Sequence, residues 1–175
     1  MTAYQLHDRF RLVLWLRFLL FFLAFFVPAL WGMKVSGVSA LTCAWLVLSA
    51  LFFGFWLPAI LCRHCPHYAR PGRFIVCPSV VGALKLRRYC PEPVSAFEKV
   101  QFAVGFVFVL GFPFPVLLFH RQFLFAGLAL LGALVFVGGE QRFSCSRCLN
   151  FSCLLNRVPK DTRAACRESN HPSST

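Results

Sequence analysis

Acidic residues are scarce in this sequence. Its 175 residues include six Asp and Glu against 18 Lys and Arg, and the formal net charge is +12. The central parts of the long apolar runs contain no Asp, Glu or His, so a proton relay or a path for a charged substrate lacks the residues that it needs. The sequence also shows no glycine-rich phosphate loop and no Ser-His-Asp arrangement. An enzyme or a transporter is therefore disfavoured.

Apolar residues are in excess, with 58% hydrophobic residues and 22 Phe, whereas a soluble domain is about 45–50% apolar. They form runs long enough to cross a bilayer. In a soluble protein, a positive charge of this size would suggest that the protein binds nucleic acid. Here the basic residues flank the apolar runs, where they orient helices and meet anionic lipids. We expect a lipid bilayer as the partner rather than nucleic acid.

The sequence predicts an all-α membrane protein with four transmembrane helices arranged as two hairpins. Its predicted domains are an N-terminal transmembrane hairpin (1–61), a Cys-rich loop (62–94), a C-terminal transmembrane hairpin (95–139) and a Cys-rich tail (140–175), with spans at about 10–33, 35–61, 95–119 and 123–139. A small-residue pattern at 38–40 resembles a signal-peptide cleavage site, and cleavage there would leave the later topology unchanged.

Local patterns refine these spans. Ser36, Ala40 and Ala44 recur every four residues, which suits close helix packing in lipid or leaves room for a bulky neighbour. Ser95 and Glu98 match the S-x-x-E capping box at the start of the third span. Residues 111–115 contain two prolines, which predicts an interruption of that span.

The distribution of positive charge predicts the orientation. Four spans place the N-terminus, the loop and the tail on one side, which then carries 16 of the 18 Lys and Arg and leaves only Lys34 and Arg121 on the other. Positive residues accumulate on the cytoplasmic side of membrane proteins. We therefore expect a protein of the cytoplasmic (inner) membrane with both termini and all the Cys-rich segments in the cytoplasm.

Two CxxC pairs stand at the ends of apolar runs: Cys62 with Cys65, and Cys145 with Cys148. Such pairs bind one metal ion because their turn directs both thiolates toward a common centre. In a reducing cytoplasm disulfides are rare, and nine cysteines cannot all pair within one chain. The pattern favours a zinc site. An iron–sulfur cluster, which also uses four thiolates, and redox-active CxxC thiols are the alternatives.

Two ligand arrangements fit the spacing. A local arrangement gives each segment its own four-sulfur site. A joined arrangement, which we favour, shares one ion between the two CxxC pairs and leaves Cys77 and Cys153 as a supporting pair or a second site. His64 and His67 are substitute ligands, although a loop histidine beside a bilayer is more often a surface residue. The local sites would be Cys62, Cys65, Cys77 and Cys90 in the loop, and Cys145, Cys148, Cys153 and Cys166 in the tail.

The loop and the tail together resemble an uncharacterised family of small prokaryotic four-helix membrane proteins with cytoplasmic CxxC motifs. The resemblance covers most of residues 62–99 and 143–159. It rests on CRHCPHY from Cys62, on the Pro-Glu-Pro from Pro91, and on the tail pattern C-x-x-C-x-N-F-x-C-x-x-N-x-V-P from Cys145. Leu154 stands where that pattern has Pro. The resemblance implies an architecture but no activity, and it implies a shared cysteine set without Cys90 and Cys166: Cys62, Cys65, Cys77, Cys145, Cys148 and Cys153.

We therefore expect an integral membrane protein whose cytoplasmic, cysteine-ligated metal module is structural or docks a cytoplasmic protein partner. The alternative is a membrane redox or electron-transfer protein that uses an iron–sulfur cluster or CxxC thiols.

Overall fold

The computed structural model describes residues 6–7, 10–77 and 80–170, with the backbone alone for 167–170, so the ends of the predicted first and last domains lie outside the described residues. The protein is 69% helical. Two short antiparallel strands, which the sequence did not predict, cover Phe74–Val76 and Val81–Leu84 in the Cys-rich loop. The helices are Leu12–Val35, Ser39–Leu51, Leu57–Ile60, Pro66–Ala69, Ala96–Gly111, Pro113–Phe119, Phe123–Gly139 and Lys160–Asn170.

Four helical stretches are long and apolar enough to cross a membrane, which confirms the prediction of four such helices and indicates a membrane protein. The fourth continues past its predicted end at Gly139 because a wide helical turn, Glu140–Ser144, carries it on. A similar turn, Phe52–Trp56, lies in the second. From first to fourth, these spans are Leu12–Val35, Ser39–His64, Ala96–Phe119 and Phe123–Arg147.

The predicted interruption of the third span is a boundary between two helices. Phe112 keeps a helical backbone and Pro113 begins the next helix. Because proline has no N–H, the carbonyl of Val109, four residues earlier, loses its usual helical donor. The indole Nε1–H of Trp45 donates to that carbonyl instead, at 2.9 Å, and Trp45 is fully buried. A side chain of the second span thus completes the backbone hydrogen bonding of the third.

The first and fourth spans make the most extensive contact between helices. Pro28 removes the helical donor of the Ala24 carbonyl in the first span. Gly132 of the fourth span approaches this point so closely that a Cβ atom there would lie 2.1 Å from the Ala24 oxygen. The bare glycine therefore allows the two backbones to meet.

The small residues of the second span do not form such a contact. Ala40 and Ala44 are exposed, whereas Thr42, Trp45 and Ser49 form the buried face. A close approach between two helix backbones lies instead at Gly132 of the fourth span.

Two apolar clusters fill the bundle. One draws residues from all four spans, among them Phe25, Trp45, Leu117 and Phe136. The other joins the second and third spans, and side chains of the tail, including Cys153, pack against it. The tail is therefore anchored on the end of the bundle.

The N-terminal segment, the loop and the tail meet at this same end. The peptide N–H of His7 donates to the carbonyl of Arg147 at 2.9 Å, and the ring of His67 donates to the carbonyl of His7 at 3.0 Å. These two hydrogen bonds connect the N-terminal segment to the tail and to the loop.

We expect Gly132→Ala to lower the free energy of unfolding by about 1–3 kcal/mol, because its Cβ would push the first and fourth spans apart. Gly127→Ala in the same span is the control, since its Cβ would meet nothing within 4 Å. Unfolding in detergent, followed by circular dichroism, measures both. Equal loss of stability in the two variants would contradict the close approach.

Candidate metal centre at the cysteine cluster

The two CxxC pairs have the same backbone conformation. Cys62–His64 and Cys145–Arg147 each form one short 3-10 turn, and the second cysteine of each pair is extended, with φ −94° and ψ 139° at Cys65 and φ −80° and ψ 135° at Cys148. Each turn lies at the end of a span. Two equivalent turns are thus presented at the ends of the second and fourth spans, as paired metal-binding turns would require.

The six cysteines of the predicted set lie in one cluster. Cys62 is close enough to Cys65 and Cys77 in the loop, and to Cys148 and Cys153 in the tail, for charges on them to interact. Cys145 and Cys153 interact in the same way. Thiols from two segments far apart in sequence therefore lie together at the end of the bundle.

Cys90 lies beside the first CxxC pair, where its peptide N–H donates to the carbonyl of Arg63 at 3.0 Å and its side chain lines a cavity. Cys166 lies on the C-terminal helix Lys160–Asn170. Both cysteines are ligands only in the local arrangement.

Peptide N–H groups donate hydrogen bonds to four of the six sulfurs. Val80 donates to Cys77 at 3.2 Å and Asn150 to Cys148 at 3.5 Å. Backbone hydrogen bonds from His67 and Leu155 lower the pKa of Cys65 and of Cys153. The N–H of Asn156 donates to the carbonyl of Cys153 at 3.1 Å. Such donors stabilise negative charge on sulfur and commonly surround metal-bound thiolates. The environment suits thiolate ligands in particular.

Burial opposes free thiolates in the same place. It raises the pKa of Cys65 to about 12, and it raises the pKa of Cys148 well above the ordinary value and that of Cys153 in the same direction. Reactive redox cysteines have lowered pKa values instead. All nine cysteines are free thiols. Without a bound cation, the thiols of Cys65 and Cys148 are therefore protonated at neutral pH.

Across residues 6–7, 10–77 and 80–170, no three Cys, His, Asp or Glu side chains are placed so that they could hold one metal ion. The sulfurs therefore lie near one another, but no three of them are arranged around one point where a metal ion could bind. The donor type, the two turns and the N–H groups fit a thiolate-bound metal, and binding would require the cysteine side chains to rotate toward one another.

Asn150 connects the tail to the second span. Its buried amide donates from Nδ2 to the carbonyl of Leu61 at 3.0 Å, directly before Cys62. Asn156 Nδ2 donates to the carbonyls of Cys148 and Asn150 at 3.0 and 2.9 Å. Sequence reasoning missed this role, although both asparagines belong to the tail motif that carries the family resemblance.

The two residues inside the first CxxC pair contact the third span. Arg63 Nη2 donates to Glu98 Oε1 at 2.5 Å, and His64 Nε2 lies 3.3 Å from the same oxygen. His64 also donates from Nδ1 to the carbonyl of Glu92 at 2.6 Å. Glu98 and Ser95 form the predicted capping box, which is confirmed. His64 is therefore engaged in holding the loop, and His67 in holding the N-terminal segment.

Glu140, which the sequence placed in the tail, lies in the fourth span and is buried. It is close enough to Cys145 and to Arg17 of the first span for their charges to interact. The guanidinium of Arg17 lies over the ring of Phe143, 4.7 Å from its centroid. These charged groups therefore lie next to the cluster and away from the central parts of the spans.

We expect Asn150→Ala to leave the Leu61 carbonyl without its side-chain donor and to detach the tail locally, at a cost of about 1–3 kcal/mol. The measurement is the rate at which a maleimide labels the tail cysteines in the purified protein. Gln141→Ala is the control, because it removes only an exposed hydrogen bond to Arg157. Unchanged labelling in Asn150→Ala would refute the role of this amide.

The chain was compared with family models, with curated proteins and with solved structures, and none of the three comparisons finds a match.

Proposed function

We propose that this membrane protein uses its cysteine cluster to bind zinc and that the metal joins the ends of the second and fourth spans. The observation that carries the proposal is the convergence of thiols from the loop and the tail, with two equivalent CxxC turns and N–H donors on the sulfurs. The primary ligands would be the two CxxC pairs, with a supporting pair or second site beside them: Cys62, Cys65, Cys145 and Cys148, then Cys77 and Cys153.

In this proposal the metal acts structurally. The four spans would form two hairpins, and one ion shared by both CxxC pairs would tie them together at the end where the loop and the tail meet. Structural zinc contributes on the order of 10 kcal/mol to the folding of a small domain. The spans would insert without it, since they depend on the bilayer and on helix packing. The ordered surface of the module would then be available to dock a partner protein.

A thiol–disulfide function is disfavoured by the raised pKa of Cys65 and Cys148. An iron–sulfur cluster would use the same thiolates, and metal analysis separates it from zinc. The resemblance to the uncharacterised family of CxxC membrane proteins agrees with a module of this kind, and we propose membership of that family on the motifs alone.

Elemental analysis of anaerobically purified protein should find zinc in a colourless preparation. A brown preparation that contains iron and absorbs by charge transfer would replace zinc with the iron–sulfur alternative. Protein that carries neither metal, even after incubation with zinc, would refute a metal function altogether.

In the joined arrangement, Cys62→Ser should lower the zinc content and also expose the tail around Cys145 to a thiol label or a protease, because a site with three sulfurs loses much of its affinity. Membrane insertion should be unchanged. Cys43→Ala is the control, since this exposed cysteine lies in the helix Ser39–Leu51, away from both CxxC turns. If Cys62→Ser retained full zinc in the tail and left the tail protected, each segment would hold its own ion.

We further propose that the cluster faces the cytoplasm, because 16 of the 18 Lys and Arg accompany it. Reporter fusions after Lys99 and after Thr175 should both behave as cytoplasmic, and a fusion at Arg121 as external. Export of the fusion after Lys99 would reverse the orientation and make disulfide chemistry the leading hypothesis.

A further inference from the structure

A cavity of about 440 Å³ lies beside the first CxxC pair, between the end of the second span and the start of the third. This volume is in the range of small-molecule sites in proteins. Its lining combines aromatic and charged side chains, among them Trp56, Arg63, Arg87, Phe97 and Glu98. The metal proposal makes no use of this cavity.

Two aromatic residues place the cavity at the edge of the apolar region. Trp56 lies near the end of the second span and is 49% exposed, and Phe97 lies in the first turn of the third span and is 70% exposed. Aromatic side chains, tryptophan above all, are enriched where a bilayer meets water. The cavity therefore has an apolar rim at the level where lipid headgroups begin.

The charged side chains that line the cavity differ in how many protein groups they bind. The carboxylate of Glu98 already accepts hydrogen bonds from Ser95 and Arg63. The guanidinium of Arg87, in contrast, has neither an ion pair nor a hydrogen bond among the residues that the structure describes. Glu92 is the second acid in the lining, and it is exposed. Arg87 is exposed at the mouth of the cavity. An arginine there without a protein partner suits a phosphate group, with which it forms paired, charge-assisted hydrogen bonds.

We propose that this cavity binds the phosphate group of a membrane phospholipid. Arg87 holds the phosphate, Arg63 contributes the part of its guanidinium that Glu98 leaves free, and the acyl chains lie along Trp56 and Phe97. Basic pockets between transmembrane helices bind phospholipid headgroups in this way. Because Arg63 and His64 are the two residues between Cys62 and Cys65, the bound lipid would abut the first CxxC turn.

The test uses the full chain, purified in detergent and titrated with phosphatidylglycerol, with bound lipid counted by native mass spectrometry. Arg87→Gln should weaken binding by about tenfold, the effect of losing a charge-assisted hydrogen bond. This variant should fold, since the backbone of Arg87, not its side chain, bonds to the hydroxyl of Tyr68. Arg88→Gln is the matched control: it removes the same charge from a neighbour that is exposed like Arg87 but does not line the cavity.

An equal effect of the two substitutions would mean that the lipid responds to diffuse surface charge and would overturn the proposal, as would binding that neither substitution weakens. A second titration adds inorganic phosphate at the concentration of the lipid. Retention of the lipid supports a phospholipid site. Displacement of the lipid, with the same dependence on Arg87, would assign the cavity to a soluble phosphate compound and overturn the lipid assignment.

Discussion

The architecture depends on the need of every backbone carbonyl in an apolar helix for a donor. Pro113 removes one donor, and the indole of Trp45 replaces it from the second span. At the end of the second span, the carbonyl of Leu61 accepts a long hydrogen bond of 3.4 Å from the N–H of His64, and the amide of Asn150 adds a bond of 3.0 Å from the tail. Both side-chain donors come from distant parts of the chain. The same requirement therefore joins the spans to each other and the tail to the spans.

The bond from Asn150 to Leu61 has a direct consequence for chemistry, because each partner lies beside a CxxC pair. It brings the turn that ends at Cys148 to the turn that begins at Cys62, and the remaining thiols follow. Glu98 also contacts the first pair: it caps the third span and accepts a hydrogen bond from Arg63. The first CxxC turn is thus held by the tail and by the third span, and the proposed lipid cavity adjoins it.

Much of the candidate site was predictable because its determinants are local. A CxxC pair predicts a short turn that carries two thiols, in metal sites and in redox motifs alike, and the two pairs have the same local backbone form. The capping box at Ser95 was predictable for the same reason, since its two residues are three positions apart. The role of Asn150 was not, because an asparagine in a polar tail predicts a turn as readily as a bond to a carbonyl 89 residues away.

The sequence by itself determined where the helices form, since an apolar run must satisfy its backbone within itself in a bilayer. It could not determine which helices pack together. The small residues Ala40 and Ala44 are exposed, while Gly132 makes the close contact, opposite a carbonyl that Pro28 frees. The strands of the loop were also missed, because strands this short form only when they pair. Packing and pairing depend on the shapes of two surfaces that meet only in the folded chain, and only the tertiary structure decided them.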